Sequence, residues 1–275
     1  MPDADPGPLL RKTAPDLGPD VALLAEAVVE AGATALKHFR RDPRVWMKAG
    51  DSPVSEADLE ADRLLHARLL GARPAYGWLS EETADNPGRL DRTRVFVVDP
   101  IDGTRAFIAG EPVWAVSAAV VEAGRPVAGA LYQPATGDLM LAAAGRGAWR
   151  GGERLSVSGR RDLQGARVAG PRRFFERPEP RPHDLEAHPF VPSLALRVAW
   201  VATGRLDLAV ASARSHDWDL AASDLLVHEA GGRLVTAEGA PLAYNAAVPR
   251  HPALAAMTPG LAAPALALLG AMAYR

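Results

Sequence analysis

The chain of 275 residues contains no cysteine. Disulfide bonds, thiolate metal ligands and cysteine nucleophiles are therefore excluded. A charge excess of one sign is also lacking, because 31 basic and 33 acidic residues give a formal net charge of −2. A nucleic-acid-binding surface is not indicated by this balance. The longest apolar run, residues 261–273, is interrupted by Pro264 and Gly270 and is too short to span a bilayer.

The first residues have neither the basic segment nor the apolar segment of a secretory signal peptide. We therefore expect a soluble, cytoplasmic protein whose partners include no nucleic acid and no membrane. Apolar residues make up 48% of the chain, which allows one large domain or two modest ones. Residues 1–19 contain five prolines, three aspartates and two glycines, a composition that predicts a flexible tail.

Helical and strand patterns alternate along the rest of the chain, with turn signals between short strands after residue 114. This pattern predicts an α/β fold of mixed and antiparallel sheets with helices on their faces. The first helix is expected from Asp20, as its N-cap, to about Phe39. A polar connection near residue 160 suggests a boundary between an N-terminal half, 20–160, and a C-terminal half, 161–275.

One segment combines a buried strand with an acidic turn, Val95-Phe-Val-Val-Asp-Pro-Ile-Asp-Gly-Thr104. Pro100 is expected to end the strand, and a short helix is expected to begin at Thr104. Asp99 and Asp102 would then lie together at the strand end, where their repulsion calls for a cation. Clustered oxygen ligands favour Mg²⁺, and the start of a helix offers N–H donors to a phosphate.

A second strand, residues 76–80, also ends in acids, at Glu81. Adjacent strand ends in an α/β layout would place Glu81 near Asp99. A second helix begins at Ser55, whose spacing to Asp58 has the pattern of a capping box. On the residues alone, Asp58 could simply favour the helix dipole.

Four segments resemble the signature segments of the inositol monophosphatase superfamily, whose members are Mg²⁺-dependent, Li⁺-sensitive phosphomonoesterases. They are Pro53-Val-Ser-Glu-Ala-Asp58, Leu79-Ser-Glu-Glu82, Asp99-Pro-Ile-Asp-Gly-Thr104 and Trp218-Asp-Leu-Ala-Ala222. The resemblance covers about residues 20–250 and implies a layered αβαβα sandwich. It also implies that a small phosphorylated compound is the substrate and that a homodimer is a common assembly.

The resemblance implies a metal centre built from both halves of the chain. By matching position, Glu81, Asp99 and the carbonyl of Ile101 would bind the first Mg²⁺. Asp99, Asp102 and Asp219 would bind the second. Glu81 would also serve a third, weaker ion. The alternative for Asp219 is a capping role at the start of a helix.

The same resemblance implies the groups that carry out the reaction. Thr104 and Asp58 would orient and deprotonate the attacking water, and Glu81, as a metal ligand, is the third candidate catalytic residue. The backbone N–H groups of Gly103 and Thr104 would bind the phosphate.

Several features resemble the bacterial 3'(2'),5'-bisphosphate nucleotidases within this superfamily. These are the Leu-Ser-Glu-Glu context of Glu81, the run Thr104-Arg-Ala-Phe-Ile108 and the segment Gly239-Ala-Pro-Leu-Ala-Tyr-Asn245. Inositol phosphatases usually have a glutamate where this chain has residues 211–213. Arg214 follows and could bind a second phosphate or be a solvated surface arginine.

The leading expectation is therefore a nucleotidase that converts adenosine 3',5'-bisphosphate to AMP. An inositol-1-phosphate phosphatase is the alternative. A metal-binding scaffold without catalysis is a more remote alternative, because every implied ligand and both water-activating residues are present.

Overall fold

The structure, a computed structural model, describes residues 16–48 and 53–274. Most of the expected tail, residues 1–15, lies outside the described residues. The α-helices found in the described part of the chain are α1 (Pro19–Leu36), α2 (Glu56–Ala72), α3 (Thr104–Ile108), α4 (Arg172–Phe175), α5 (Leu194–Ala202), α6 (Asp217–Glu229) and α7 (Ala262–Ala271). Short 3₁₀ turns cover Pro87–Asp91, Arg181–His183 and Pro259–Leu261.

The strands form a two-stranded ribbon, a seven-stranded sheet and a five-stranded sheet. The ribbon pairs β1 (Val45–Met47) with β2 (Pro53–Ser55). The large sheet contains, in spatial order, β3 (Gly77–Ser80), β4 (Arg94–Asp102), β5 (Ala115–Glu122), β6 (Arg125–Gln133), β7 (Asp138–Ala143), β8 (Gly147–Arg150) and β9 (Glu153–Arg154). The smaller sheet is made of β10 (Arg167–Ala169), β11 (Glu186–Ala187), β12 (Leu208–Ala211), β13 (Arg233–Thr236) and β14 (Leu254–Met257), in the order β11-β10-β12-β14-β13.

The large sheet is buried on both faces, and alternation along β4 shows how. Phe96 and Val98 pack with α1 and α2, whereas Val95 and Val97 pack on the opposite face with α5 and α6. Successive side chains of a strand point to opposite faces, so a continuous apolar run is what a doubly covered strand requires. Within this sheet β3 and β4 pair in parallel and the other neighbours pair antiparallel.

The smaller sheet completes the layers. One of its faces packs on α5, and the other packs on α7 together with Phe174. The order of layers is therefore helices, large sheet, helices, small sheet and helix. This arrangement confirms the expected αβαβα sandwich with mixed and antiparallel sheets.

Helix α1 differs from the prediction at both ends. It begins at Pro19 with Gly18 at the N-cap, and it ends at Leu36 rather than near Phe39. Asp20 lies in the first turn, where its carboxylate accepts hydrogen bonds from Arg73, Tyr76 and Arg94. Asp20 is therefore the second residue of the helix rather than its N-cap, and its carboxylate is bound by distant side chains.

The connection from residue 155 to residue 166 contains neither helix nor strand. We keep the boundary near residue 160, between halves 20–160 and 161–275, as a proposal. No helix in the described part of the chain combines the length and the apolar character that crossing a bilayer requires.

Candidate metal centre and active site

The acidic end of β4 is shaped by a β-bulge. Asp99 pairs with Ser117 of β5 and Asp102 pairs with Ala115, so three steps on β4 match two steps on β5. Pro100 has no N–H for the ladder, and the extra residue accommodates it. The prediction that Pro100 ends the strand is therefore wrong, because β4 continues to Asp102. Side chains of strand residues three apart normally point to opposite faces of the sheet. The extra residue in the bulge allows the side chains of Asp99 and Asp102 to lie on the same side.

Asp102 is held against the start of α5, which belongs to the other half of the chain. Its carboxylate accepts hydrogen bonds from the Ser193 hydroxyl at 2.5 Å and from the N–H groups of Ala195 at 2.6 Å and Leu194 at 3.3 Å. Burial raises the pKa of Asp102 to about 6, although these hydrogen bonds act in the opposite direction. No pattern in the sequence indicated the contact between Ser193 and Asp102.

Asp219 brings a third acid to this point from the first turn of α6. One of its oxygens accepts the N–H of His216 at 2.6 Å, so the predicted capping role is present. Oxygens of Asp99, Asp102 and Asp219 also lie within 4.8 Å of one another. Burial, followed by repulsion from neighbouring acids, raises the pKa of Asp99 and of Asp219 well above the usual range.

The three acids suit a divalent cation. In the described residues, the ion pair found at these three acids is that of Asp219 with His216, at 3.9 Å, and the buried Arg197 acts on Asp102 from a longer distance. Burial lowers the pKa of His216, which favours its neutral form. Buried carboxylates without a compensating charge are strongly disfavoured, and oxygen donors are the ligands that Mg²⁺ prefers. The residues present therefore fit the metal that the sequence predicted.

Asp58 and Thr104 form a pair next to this cluster. The Thr104 hydroxyl lies 3.2 Å from Asp58 Oδ1 and 3.0 Å from the Ile101 carbonyl. Asp58 Oδ2 accepts the Ser55 hydroxyl at 2.5 Å and the Ser55 N–H at 2.8 Å, which confirms the capping box. Burial raises the pKa of Asp58 to about 6, with Glu81 contributing in the same direction. Asp58 thus both caps α2 and aims its other oxygen at Thr104.

Gly103 allows the turn between β4 and α3. Its φ of 97° and ψ of 34° lie in the left-handed region, and a Cβ there would be 3.1 Å from the Val113 carbonyl oxygen. A side chain at this position would be strained for both reasons. The turn leads directly into Thr104, the first residue of α3, where backbone N–H groups have no carbonyl partner within the helix.

Glu81 follows β3, and its backbone N–H donates to the Val98 carbonyl at 3.3 Å. The parallel pairing of β3 with β4 confirms that the two acidic strand ends are adjacent. The Glu81 carboxylate accepts the Lys48 ammonium at 3.1 Å, and Glu82 accepts the same group at 2.6 Å. Burial raises the pKa of Glu82 to about 7 against the opposing effect of Lys48. No sequence pattern indicated this role for Lys48, the residue that follows β1.

A cavity of about 450 Å³ opens onto the cluster. Six of the predicted site residues line it, namely Glu81, Ile101, Asp102, Gly103, Thr104 and Asp219. Asp58 and Asp99 do not line it themselves, but each lies against residues that do. This volume is in the range of about 300–1,000 Å³ that is typical of small-molecule sites.

Arg214, predicted as a substrate-binding residue, does not line this cavity. Its side chain is exposed, its φ is 94°, and its backbone N–H donates to the His251 carbonyl at 3.1 Å. The suggested contact between Arg214 and a second phosphate stays a prediction.

A sequence model of the inositol monophosphatase family matches residues 17–267. The chain belongs to this family. The family's acidic signature segments are the segments that form the cluster at the end of β4 and the start of α6, so fold, motif and geometry agree.

Individual relatives have several names. An inositol-1-monophosphatase of Caulobacter vibrioides is 35% identical over 226 residues, covering 76% of this chain and 88% of that protein. A histidinol-phosphatase of Chlorobaculum parvum is 33% identical, covering 78% and 84%. The crystal structure of the extragenic suppressor protein suhB from Bartonella henselae matches with a TM-score of 0.80 at 30% identity, covering 90% and 96%.

Proposed function

We propose that the protein is a Mg²⁺-dependent phosphomonoesterase that uses water as the nucleophile. The observation that carries this proposal is the convergence of oxygens of Asp99, Asp102 and Asp219 within 4.8 Å, beside a turn that lines a cavity. Mg²⁺ held there would neutralise the phosphate's charge and make water a better nucleophile. Glu81 and the Ile101 carbonyl are the further candidate ligands.

The chain's own residues supply the positioning that phosphoryl transfer mainly needs. The N–H groups at Gly103 and Thr104 would bind phosphate oxygens at the start of α3. The Thr104 hydroxyl would orient the attacking water, and Asp58 Oδ1 would receive the proton through that hydroxyl. A pKa of about 6 leaves Asp58 ionised near neutral pH, yet basic enough for this task.

For the substrate, we propose adenosine 3',5'-bisphosphate, hydrolysed to AMP and phosphate. Residues 211–213 offer no carboxylate for the hydroxyls of a cyclitol, and Arg105 adds a cationic group to the cavity. Inositol-1-phosphate is the second candidate. It is favoured by the name of the Caulobacter vibrioides relative, at 35% identity.

The test is phosphate release from both substrates after removal of metal with EDTA and addition of Mg²⁺. We expect release to require Mg²⁺ and to be abolished by Asp219→Asn. The matched control is Asp224→Asn on the same helix, which keeps an acceptor for the Tyr244 hydroxyl and should remain active. An inositol phosphate preference of about tenfold or more in kcat/KM, equal to about 1.4 kcal/mol, would reverse the choice of substrate.

The absence of turnover on any phosphomonoester, with Mg²⁺ binding intact, would instead favour a non-catalytic scaffold. The same assay measures inhibition of phosphate release by added Li⁺ and the dependence of release on Mg²⁺ concentration. A homodimer is proposed only from the resemblance, and gel filtration with light scattering would test it.

A further inference from the structure

One large apolar side chain lies exposed in the wall of the candidate active site. Phe190 is 66% exposed and lines the same cavity as Asp102, Thr104 and Asp219. Aromatic side chains are normally buried, and an exposed one inside a concave polar site is therefore informative.

Phe190 is held in place by its neighbours. The carbonyl of Val191 accepts a hydrogen bond from Arg197 at 2.7 Å, and Ser193 is bonded to Asp102 at 2.5 Å. Three residues span at most about 11 Å, so the backbone of Phe190 lies within that distance of Ser193. The backbone next to Phe190 is therefore anchored, and its side chain lines the same cavity as the turn at Gly103 and Thr104.

One face of the ring is already covered by a cation. The guanidinium carbon of Arg197 lies 5.4 Å from the centre of the Phe190 ring. Arg197 is itself 7% exposed, and it donates to the carbonyls of Val191 and Val210. Because Arg197 covers one face of the ring, the exposed parts of Phe190 are the opposite face and the edge.

Beside the charged residues Arg105 and Glu111, the cavity has further apolar lining. Ala106, Ala109 and Pro192 contribute to the same cavity. A cyclitol, which carries a hydroxyl on every carbon, would gain little from such surfaces. A planar ring can stack on an aromatic side chain for about 1–3 kcal/mol.

We propose that Phe190 is a specificity residue on which the planar heteroaromatic ring of the leaving group stacks, so that the site prefers nucleoside phosphates to cyclitol phosphates. This inference rests on the proposed phosphomonoesterase function and names the substrate class of that site.

The test compares two ligands that differ only in the base. One is adenosine 3'-monophosphate, and the other is its abasic counterpart with hydrogen in place of adenine. Affinities are measured by isothermal titration calorimetry with Ca²⁺ in place of Mg²⁺, to slow turnover. Phe190→Ala should weaken the binding of adenosine 3'-monophosphate by about fivefold or more, which corresponds to about 1 kcal/mol of lost stacking. The affinity for the abasic ligand should change by less than about twofold.

Two further variants separate stacking from simple apolar contact. Phe190→Tyr keeps the ring and should keep the affinity, whereas Phe190→Leu keeps bulk without the ring and should behave like Phe190→Ala. Val248→Ala removes another exposed apolar side chain, 69% exposed and outside the cavity, and should change neither affinity.

Equal effects of Phe190→Ala on both ligands, or no effect on either, would overturn the inference. So would equal affinity of the unaltered protein for the two ligands. Mg²⁺-dependent phosphate release is measured in parallel and tests the proposed function separately. If Phe190 contributes to ligand binding but no ester releases phosphate, the proposed phosphatase activity is wrong and the stacking role of Phe190 is retained. If phosphate is released at the same rate with and without the base, the phosphatase activity is retained and the stacking role is wrong.

Discussion

Asp99→Asn is expected to abolish phosphatase activity and at the same time to stabilise the metal-free protein. Asp99 is 1% exposed, and one of its carboxylate oxygens lies within 4.8 Å of carboxylate oxygens of Asp102 and Asp219. Asparagine has the same shape and keeps an oxygen to accept the Ile101 N–H, which Asp99 accepts at 3.0 Å. The substitution therefore removes a charge with little change in packing.

The size of the effect follows from the distances. Two ionised carboxylates 4.8 Å apart repel by about 3 kcal/mol at an effective dielectric constant of about 20. The metal-free protein relieves part of this repulsion by binding protons, so we expect a net gain of about 1–3 kcal/mol. For a chain of this size that gain corresponds to a rise in Tm of roughly 2–10 °C.

Thermal unfolding in EDTA near pH 7.5 measures this change. Asp207→Asn is the matched control, because Asp207 is also buried but its charge is compensated by Arg167 and hydrogen-bonded by Ser158. The Tm of that variant should fall. A fall in the Tm of Asp99→Asn as well would show that the acids do not repel one another in the metal-free protein.

Thr104→Ala should lower kcat by about 10²–10⁴-fold while calorimetry still detects Mg²⁺ binding, because the hydroxyl positions water; lost binding would refute that role. In EDTA the Tm should rise as pH falls from about 8 to about 5, because Asp58 and Asp102 have pKa values of about 6 and bind protons in the folded state before the unfolded state does. A falling Tm over that interval would contradict those values. Ser193→Ala should reduce stability by about 1–3 kcal/mol in thermal unfolding, because Asp102 loses a charged hydrogen bond, whereas exposed Ser156→Ala should not.

The sequence was sufficient for those parts of the fold that depend on local pattern. The apolar run of β4 predicted a buried strand, and alternation explains why Val95 and Phe96 reach different cores. The capping box at Ser55 and Asp58 was also readable, since it depends on a spacing of three residues. The short helix after Gly103 followed from the turn chemistry alone.

The errors arise where long-range contacts override local preference. Pro100 is a strand breaker by itself, but pairing with β5 carries the strand past it as a bulge. Asp20 is a residue type that often caps helices, but here the helix begins at Pro19 and side chains up to 74 residues away donate hydrogen bonds to the Asp20 carboxylate.

Two site contacts had no local signal for the same reason. Ser193 is 91 residues from Asp102, and Lys48 is 33 residues from Glu81. Contacts of this kind depend on how layers pack, which periodicity does not determine.

The proposed function depends on divalent metal bound by the carboxylates of Asp99, Asp102 and Asp219. The most direct measurement is the anomalous difference map of a crystal soaked in Mn²⁺, an ion that binds the same oxygen donors as Mg²⁺ and can be located by its scattering. We expect a peak within coordinating distance of all three side chains, and we expect it to be absent from crystals of Asp99→Asn. A soaked crystal of the unaltered protein with no peak there, at an Mn²⁺ concentration that supports turnover in solution, would contradict the proposed function.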